Sequence, residues 1–159
     1  QVPQESFLCP GSVADNIAYG AAGATDAEVQ AAVERIGALG VIGTIPGGFN
    51  ARVGERGRGL SSGQRQIIAL ARAEMLTPAV LLLDEATATL DPATERAVLD
   101  ASDKAMAGRT SVVVAHRLAT AARADRILVV DEGRIIEDGC HEDLISAGGR
   151  YAHMWAVNR

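Results

Sequence analysis

The sequence predicts an α/β domain with parallel strands, and three observations carry that expectation. Aliphatic and other hydrophobic residues make up 48% of the chain but aromatics only 3%, so the interior must be Val, Ile, Leu and Ala. That balance suits strands covered by helices better than a sandwich, which uses more aromatics. Stretches of helical periodicity alternate with short, β-branched apolar runs, the order of an α/β fold. At 159 residues the chain fits one domain with a sizeable core.

Each element has its own local cause. Residues 1–20 read as a short polar-apolar stretch ending in Asn16-Ile17-Ala18-Tyr19-Gly20. Thr25 and Glu28 fit a capping box, and Val29, Ala32, Val33 and Ile36 follow at helical spacing until Gly37 stops the helix. Residues 40–59 are Gly-rich around Pro46 and read as connecting loop. Ser61 and Gln64 form a second capping box, opening a helix with Ile67, Ile68, Ala71 and Met75 on its apolar face and Pro78 as its stop. Val80 to Leu83 is a wholly apolar strand expected to be buried. Asp91-Pro92 opens a third helix running to about Met106, with Gly108 closing it. Ser111 to Ala115 and Ile127 to Val130 are strands, and Asp131-Glu132-Gly133 turns the second into Arg134 to Glu137 as a hairpin. From His141 the tail reads as two short helices, with His141 capping the first after Gly139.

Charge and composition exclude some functions. A net charge of −5 argues against nucleic acid, which needs a basic face. ATP does not, because backbone amides and one metal ion can hold its phosphates. No apolar run approaches the ~20 residues that span a bilayer, and no leader peptide is visible. Cys9 and Cys140 match no metal spacing and are expected to be free thiols in a reducing cytosol.

The residues that could carry chemistry fall at three places. At Ser61 a helix N-terminus leaves amides open to an anion, and Gly59 and Gly63 allow close approach. The competing reading is a serine that merely caps its own helix. Asp84 and Glu85 emerge where the strand Val80–Leu83 leaves the sheet, the edge at which open α/β sheets bind ligands. One acid there can hold Mg²⁺ and the other can orient or deprotonate water, unless both only solvate a strand end. His116 follows the next strand, where it is either a neighbour of those acids or a surface residue. Gln4 offers an uncharged donor and acceptor suited to a water. Gly54 to Ser61 has the spacing of a phosphate loop, but Leu60 stands where the lysine must be and no apolar strand precedes it. It is rejected as one. No GxxxxGK[ST] pattern occurs in the 159 residues.

In combination these pieces resemble the nucleotide-binding domain of an ABC transporter of the exporter type, from its Q-loop to its C-terminus. Val2-Pro3-Gln4-Glu5 resembles the Q-loop, and Gly11-Ser12-Val13 with Asp15-Asn16-Ile17 continues the exporter pattern. Val53 to Gly57 resembles the X-loop, Leu60 to Gln64 the signature, and Val80 to Glu85 the Walker B strand. Ala88 to Asp91 resembles the D-loop and Ala115-His116-Arg117 the H-loop. The order is the family's. Two positions depart from it: Ser62 replaces the usual signature glycine, and Ile67 replaces a common arginine.

The resemblance implies a partial P-loop NTPase fold: a RecA-like parallel sheet without its phosphate-loop strand, plus the helical signature subdomain. It divides the chain into a Q-loop segment 1–20, a signature subdomain 21–77 and a core half 78–159. It implies Mg²⁺ and ATP in the full domain, with Glu85, His116 and Gln4 catalytic and Asp84 and Gln4 holding Mg²⁺ through water. Ser61, Ser62, Gly63, Gln64 and Asp91 would contact nucleotide at a head-to-tail interface with a second nucleotide-binding domain. The Q-loop and X-loop would touch the coupling helices of a transmembrane domain, at the cytoplasmic face of the membrane. The opening on Gln1, inside a motif, suggests a fragment boundary, with roughly 80–90 further residues expected in a full domain. The chain alone is then expected to be inactive, to bind ATP weakly at best, and to dimerise or swap elements to cover apolar surface. The alternatives are a fragment of a non-transport ABC ATPase, or a non-catalytic docking module.

Overall fold

The computed structural model describes residues 7–84 and 90–158. Gln4 and Glu85, with all of the predicted Q-loop and Ala88 and Thr89 of the predicted D-loop, lie outside the described residues. The chain divides into two compact units, residues 1–112 and 113–159.

The first unit is organised around one helix. Its elements are β1 (Gly11–Ser12), α1 (Val13–Ile17), α2 (Asp26–Arg35), α3 (Leu39–Gly43), β2 (Arg52–Val53), α4 (Ser62–Met75), β3 (Val80–Asp84) and α5 (Pro92–Met106), with β4 (Thr110–Val114) following. α4 packs against α1, α2, α3 and α5. Both halves of the α2 capping box form: Glu28 N–H donates to Thr25 Oγ1, and Thr25 N–H donates to the Glu28 carboxylate at 2.7 Å. Val29, Ala32, Val33 and Ile36 are all buried, as the spacing predicts. Gly37 then turns left-handed at φ 71°, which an L side chain rarely adopts, and the helix stops.

Four expectations need correction. Residues 1–20 contain β1 and α1, held by a capping box in which Asp15 N–H donates to Ser12 Oγ and Ser12 N–H to the Asp15 carboxylate. Residues 40–59 are not plain loop: they hold part of α3, β2 and two 3₁₀ turns at Gly48–Asn50 and Glu55–Gly57. These elements are short, and α3 carries two glycines, so burial of Ile42 and Ile45 rather than propensity holds them. Third, Val80–Leu83 is not fully buried. Leu81 and Leu83 face the core, but Val80 is 52% and Leu82 43% exposed. β3 pairs with β4, and Val112 is likewise exposed.

The last correction falls in the second unit, which holds α6 (Leu118–Ala121), β5 (Ile127–Asp131), β6 (Arg134–Gly139), α7 (His141–Ala147) and α8 (Arg150–Val157). β5 and β6 form the predicted antiparallel hairpin, with an irregularity between Val129 and Val130. Ile127, Val129, Leu144 and Tyr151 form its core. Cys140, not His141, is the N-cap of α7. His141 lies one residue inside the helix, and its Nδ1 is 2.8 Å from the buried Tyr151 hydroxyl on α8. Glu137 in turn caps α8, accepting from the amides of Arg150 and Tyr151.

Both cysteines are free thiols. Among the described residues no helix is long and apolar enough to cross a membrane.

Candidate nucleotide site

The start of α4 is the most fully built part of the candidate site. Ser61 is extended at φ −67°, ψ 161°, and its hydroxyl oxygen accepts from Gln64 N–H at 3.2 Å. Gln64 Oε1 accepts from Ser61 N–H at 2.9 Å, completing the box. So the bland reading holds in full: Ser61 does cap its own helix. Capping does not exhaust the site, because a box of this kind serves Ser61 and Gln64 only. The amides of Ser62 and Gly63 have no acceptor among the described residues. With the Ser61 hydroxyl proton they are donors at the positive end of a 14-residue helix.

Gly63 is fixed by packing as well. A Cβ on it would run into Thr94 Cγ2 of α5 and touch Leu90, so the glycine lets α4 and α5 approach. Asp91, predicted to contact nucleotide, is exposed and caps α5, accepting from the amides of Ala93 and Thr94 at 3.2 and 3.1 Å. Hydrogen bonds from Thr94 and then Ala93 hold its carboxyl below the usual range. Its described contacts are those of a helix cap.

Asp84 is half-buried at the carboxyl end of β3, where an acid can face a ligand. His116 lies two residues beyond β4 and is exposed. The two residues belong to different units. No three His, Cys, Asp or Glu residues cluster as a metal cage among the described residues. A single carboxylate fits Mg²⁺, which keeps its waters and is bound by one or two acids plus phosphate oxygens.

The predicted X-loop also takes shape. Gly11 and Ser12 pair antiparallel with Val53 and Arg52, so the segment that follows the predicted Q-loop lies against the X-loop strand. The segment is tied to α4 by Arg72, which lies in none of the sequence motifs. Its guanidinium donates to Asn16 O at 2.8 Å, to Phe7 O at 3.0 Å and to Asn16 Oδ1 at 3.3 Å, and stacks over Tyr19 at 5.1 Å. Asn16, 1% exposed, holds the backbone of Cys9 and Ser12. Glu74 was missed too: 6% exposed, it accepts from Arg35 at 2.8 Å and Arg109 at 2.9 Å. Charged residues inside the apolar run Ile67–Ala73 and just after it were the available clue.

Residues 1–88 match the family model described as ABC transporter. The chain belongs to the ABC transporter family. It is 48% identical to the multidrug efflux ATP-binding/permease protein of Mycobacterium bovis over 157 residues, 99% of this chain and 13% of that protein. It is 46% identical to human ATP-binding cassette sub-family B member 6, over 99% of this chain and 19% of that one. Among solved structures, a bacterial Atm1-family ABC exporter with ATP bound superposes with a TM-score of 0.87 at 44% identity, covering 99% of this chain and 27% of that one. The ABC ATPase fold and the expected place of this chain within a nucleotide-binding domain follow. The chain spans less than a third of each of these proteins.

Proposed function

We propose that this chain is the signature and Walker B portion of the ATP-hydrolysing domain that powers an ABC exporter. The observation that carries the reading is the start of α4: a self-capped helix whose next two amides stay open, in the segment matching the signature. Transport is favoured over a non-transport ATPase by the efflux, permease and flippase names of its relatives, the last from Xanthomonas campestris at 45% identity.

In this reading the three segments 1–20, 21–77 and 78–159 have separate tasks. Ser61, Ser62 and Gly63 receive the phosphates of an ATP held by a second nucleotide-binding domain, with Gln64 supporting the cap and Asp91 near the interface. Asp84 would hold Mg²⁺ through water, and the ion would supply charge neutralisation when bound. Glu85 orients and deprotonates the attacking water, and His116 donates to the phosphoryl group being transferred. Gln4 senses that water and passes its state to the transmembrane domain, a route supported by the pairing of Gly11 and Ser12, which follow it, with Val53 and Arg52 at the X-loop. Catalysis is positioning plus charge stabilisation. The working site lies at the cytoplasmic face of the membrane.

The 159 residues hold no phosphate-loop lysine, so the chain by itself is inactive in this account. The exposed apolar face of Val80, Leu82 and Val112 favours self-association of the isolated chain, by dimerisation or swapping. The test is the complete transporter carrying this sequence. Glu85→Gln should lower ATP turnover by about 100-fold or more while ATP still binds. Undiminished turnover would remove Glu85 from the mechanism, and a complete transporter with no ATPase activity would overturn the reading itself.

A further inference from the structure

The amide of Gln64 can form the capping box in only one orientation. Its Oε1 must face Ser61 N–H, because the flipped amide would set an NH₂ group against that donor. A capping box alone does not enforce the choice, since the outer half of the amide is open to water. Here that outer half has a protein partner. Gln64 Nε2 donates to Thr44 Oγ1 at 3.2 Å. The Thr44 hydroxyl proton is already spent on the Val41 carbonyl at 2.7 Å, so the oxygen presents a lone pair and not a proton. Val41 belongs to α3, and Thr44 is that helix's C-cap. The chain of bonds runs from α3 through Thr44 and Gln64 to Ser61.

We propose that Thr44 is a positioning residue for the signature helix: its oriented hydroxyl fixes the Gln64 amide, and through it the extended Ser61 and the open amides that follow. The proposal rests on the functional reading above for its consequence at ATP, but not for the bond network itself. Thr44 is exposed, so its replacement leaves the core untouched. The contribution is that of one hydrogen bond, worth about three- to tenfold in an equilibrium. Thr44 lies in the Gly-rich stretch 40–59, where no local pattern marks it.

Two measurements test it. In the 159-residue chain, Thr44→Val should speed exchange of the Ser61 amide about three- to tenfold and shift the Gln64 side-chain amide resonances. Val29 and Val33 amides should change no more than global stability does, and the melting temperature should fall by no more than a few degrees. Thr44→Ser, which keeps the hydroxyl, should restore both signals. In the complete transporter, Thr44→Val should raise the KM for ATP by a similar factor with kcat held within about twofold, and Thr44→Ser should reverse it. Unchanged Ser61 exchange in Thr44→Val, or a Thr44→Ser chain that behaves like it, would overturn the positioning role. An exchange effect with an unchanged KM would overturn its bearing on nucleotide. A transporter without ATPase activity would strike the functional reading, while the exchange result would still decide the positioning role.

Discussion

α4 and β3 are neighbours in sequence and treat their apolar residues in opposite ways. α4 is wrapped by four helices, so Ile67, Ile68, Ala69, Leu70 and Ala71 are all buried, and even its last turn buries a carboxylate between two arginines. β3 buries Leu81 and Leu83 on one face and leaves Val80 and Leu82 bare on the other. The helical part closes its own core; the strand part closes half of one. The difference teaches where each motif gets its precision. The signature helix is fixed by contacts within the chain, whereas the strand ending in Asp84 has a face still open to a covering partner.

Glu74 offers the largest way to break the helical side. Glu74→Ala leaves Arg109, whose side chain is 17% exposed, without its carboxylate and should destabilise the chain by about 2–4 kcal/mol in denaturant titration. Arg35, half exposed, adds little to that. A loss below about 1 kcal/mol would show that α4 does not depend on this clamp.

Next comes a paired test of the two strand faces. Leu81→Ala should cost about 2–5 kcal/mol, while Leu82→Ala should cost less than about 1 in dilute solution. If a second copy covers the bare face, the cost of Leu82→Ala should grow with protein concentration. Sedimentation at low micromolar concentration reads that directly: a monomer there contradicts the self-association proposed for the isolated chain.

Gly63 separates packing from nucleotide contact. Gly63→Ala should lose about 1–3 kcal/mol by overpacking on Thr94, and Thr94→Ala in the same chain should recover most of it. If the double variant in the complete transporter regains stability but not ATPase activity, Gly63 serves nucleotide as well as packing. Full recovery of both would assign it to packing alone.

Asp91 carries the smallest effect, and it depends on pH. Its carboxyl is held below the usual range by bonds from Thr94 and Ala93, so the folded state binds its proton less readily than the unfolded one. The stabilisation is present above the unfolded value near 4 and fades as pH falls through the folded value. Asp91→Ala should therefore lower the denaturation midpoint slightly at pH 7, and by progressively less as pH falls below about 4. A difference that persists at low pH would assign the role to something other than the charged cap.

Much of this molecule was legible because its signals are local. The capping boxes at Thr25 and Ser61, the stop at Gly37, the Asp91 cap and the β5–β6 hairpin all depend on residues within a few positions of each other. The misreadings share the opposite cause. α3, β1 and β2 depend on partners far along the chain: α3 packs on α4, and Gly11 and Ser12 pair with Val53 and Arg52. Val80 and Leu82 read as buried because an apolar run does not say how many faces of its sheet are covered. Arg72 and Glu74 were overlooked because their partners, Asn16, Arg35 and Arg109, lie 35 to 56 residues away. Gln4, Glu85, Asp84 and His116 were found by motif, and their roles rest on the functional proposal.

The proposed function requires that the signature and Walker B surfaces act on ATP only in company with a phosphate loop supplied elsewhere in the assembly. The most direct test is calorimetric titration of Mg·ATP into the purified 159-residue chain, with the oligomeric state measured in the same buffer. The account predicts no binding at micromolar strength, in monomer or dimer alike. Micromolar binding that disappears in Asp84→Asn and Ser61→Ala would contradict it, because those surfaces would then assemble a nucleotide site on their own.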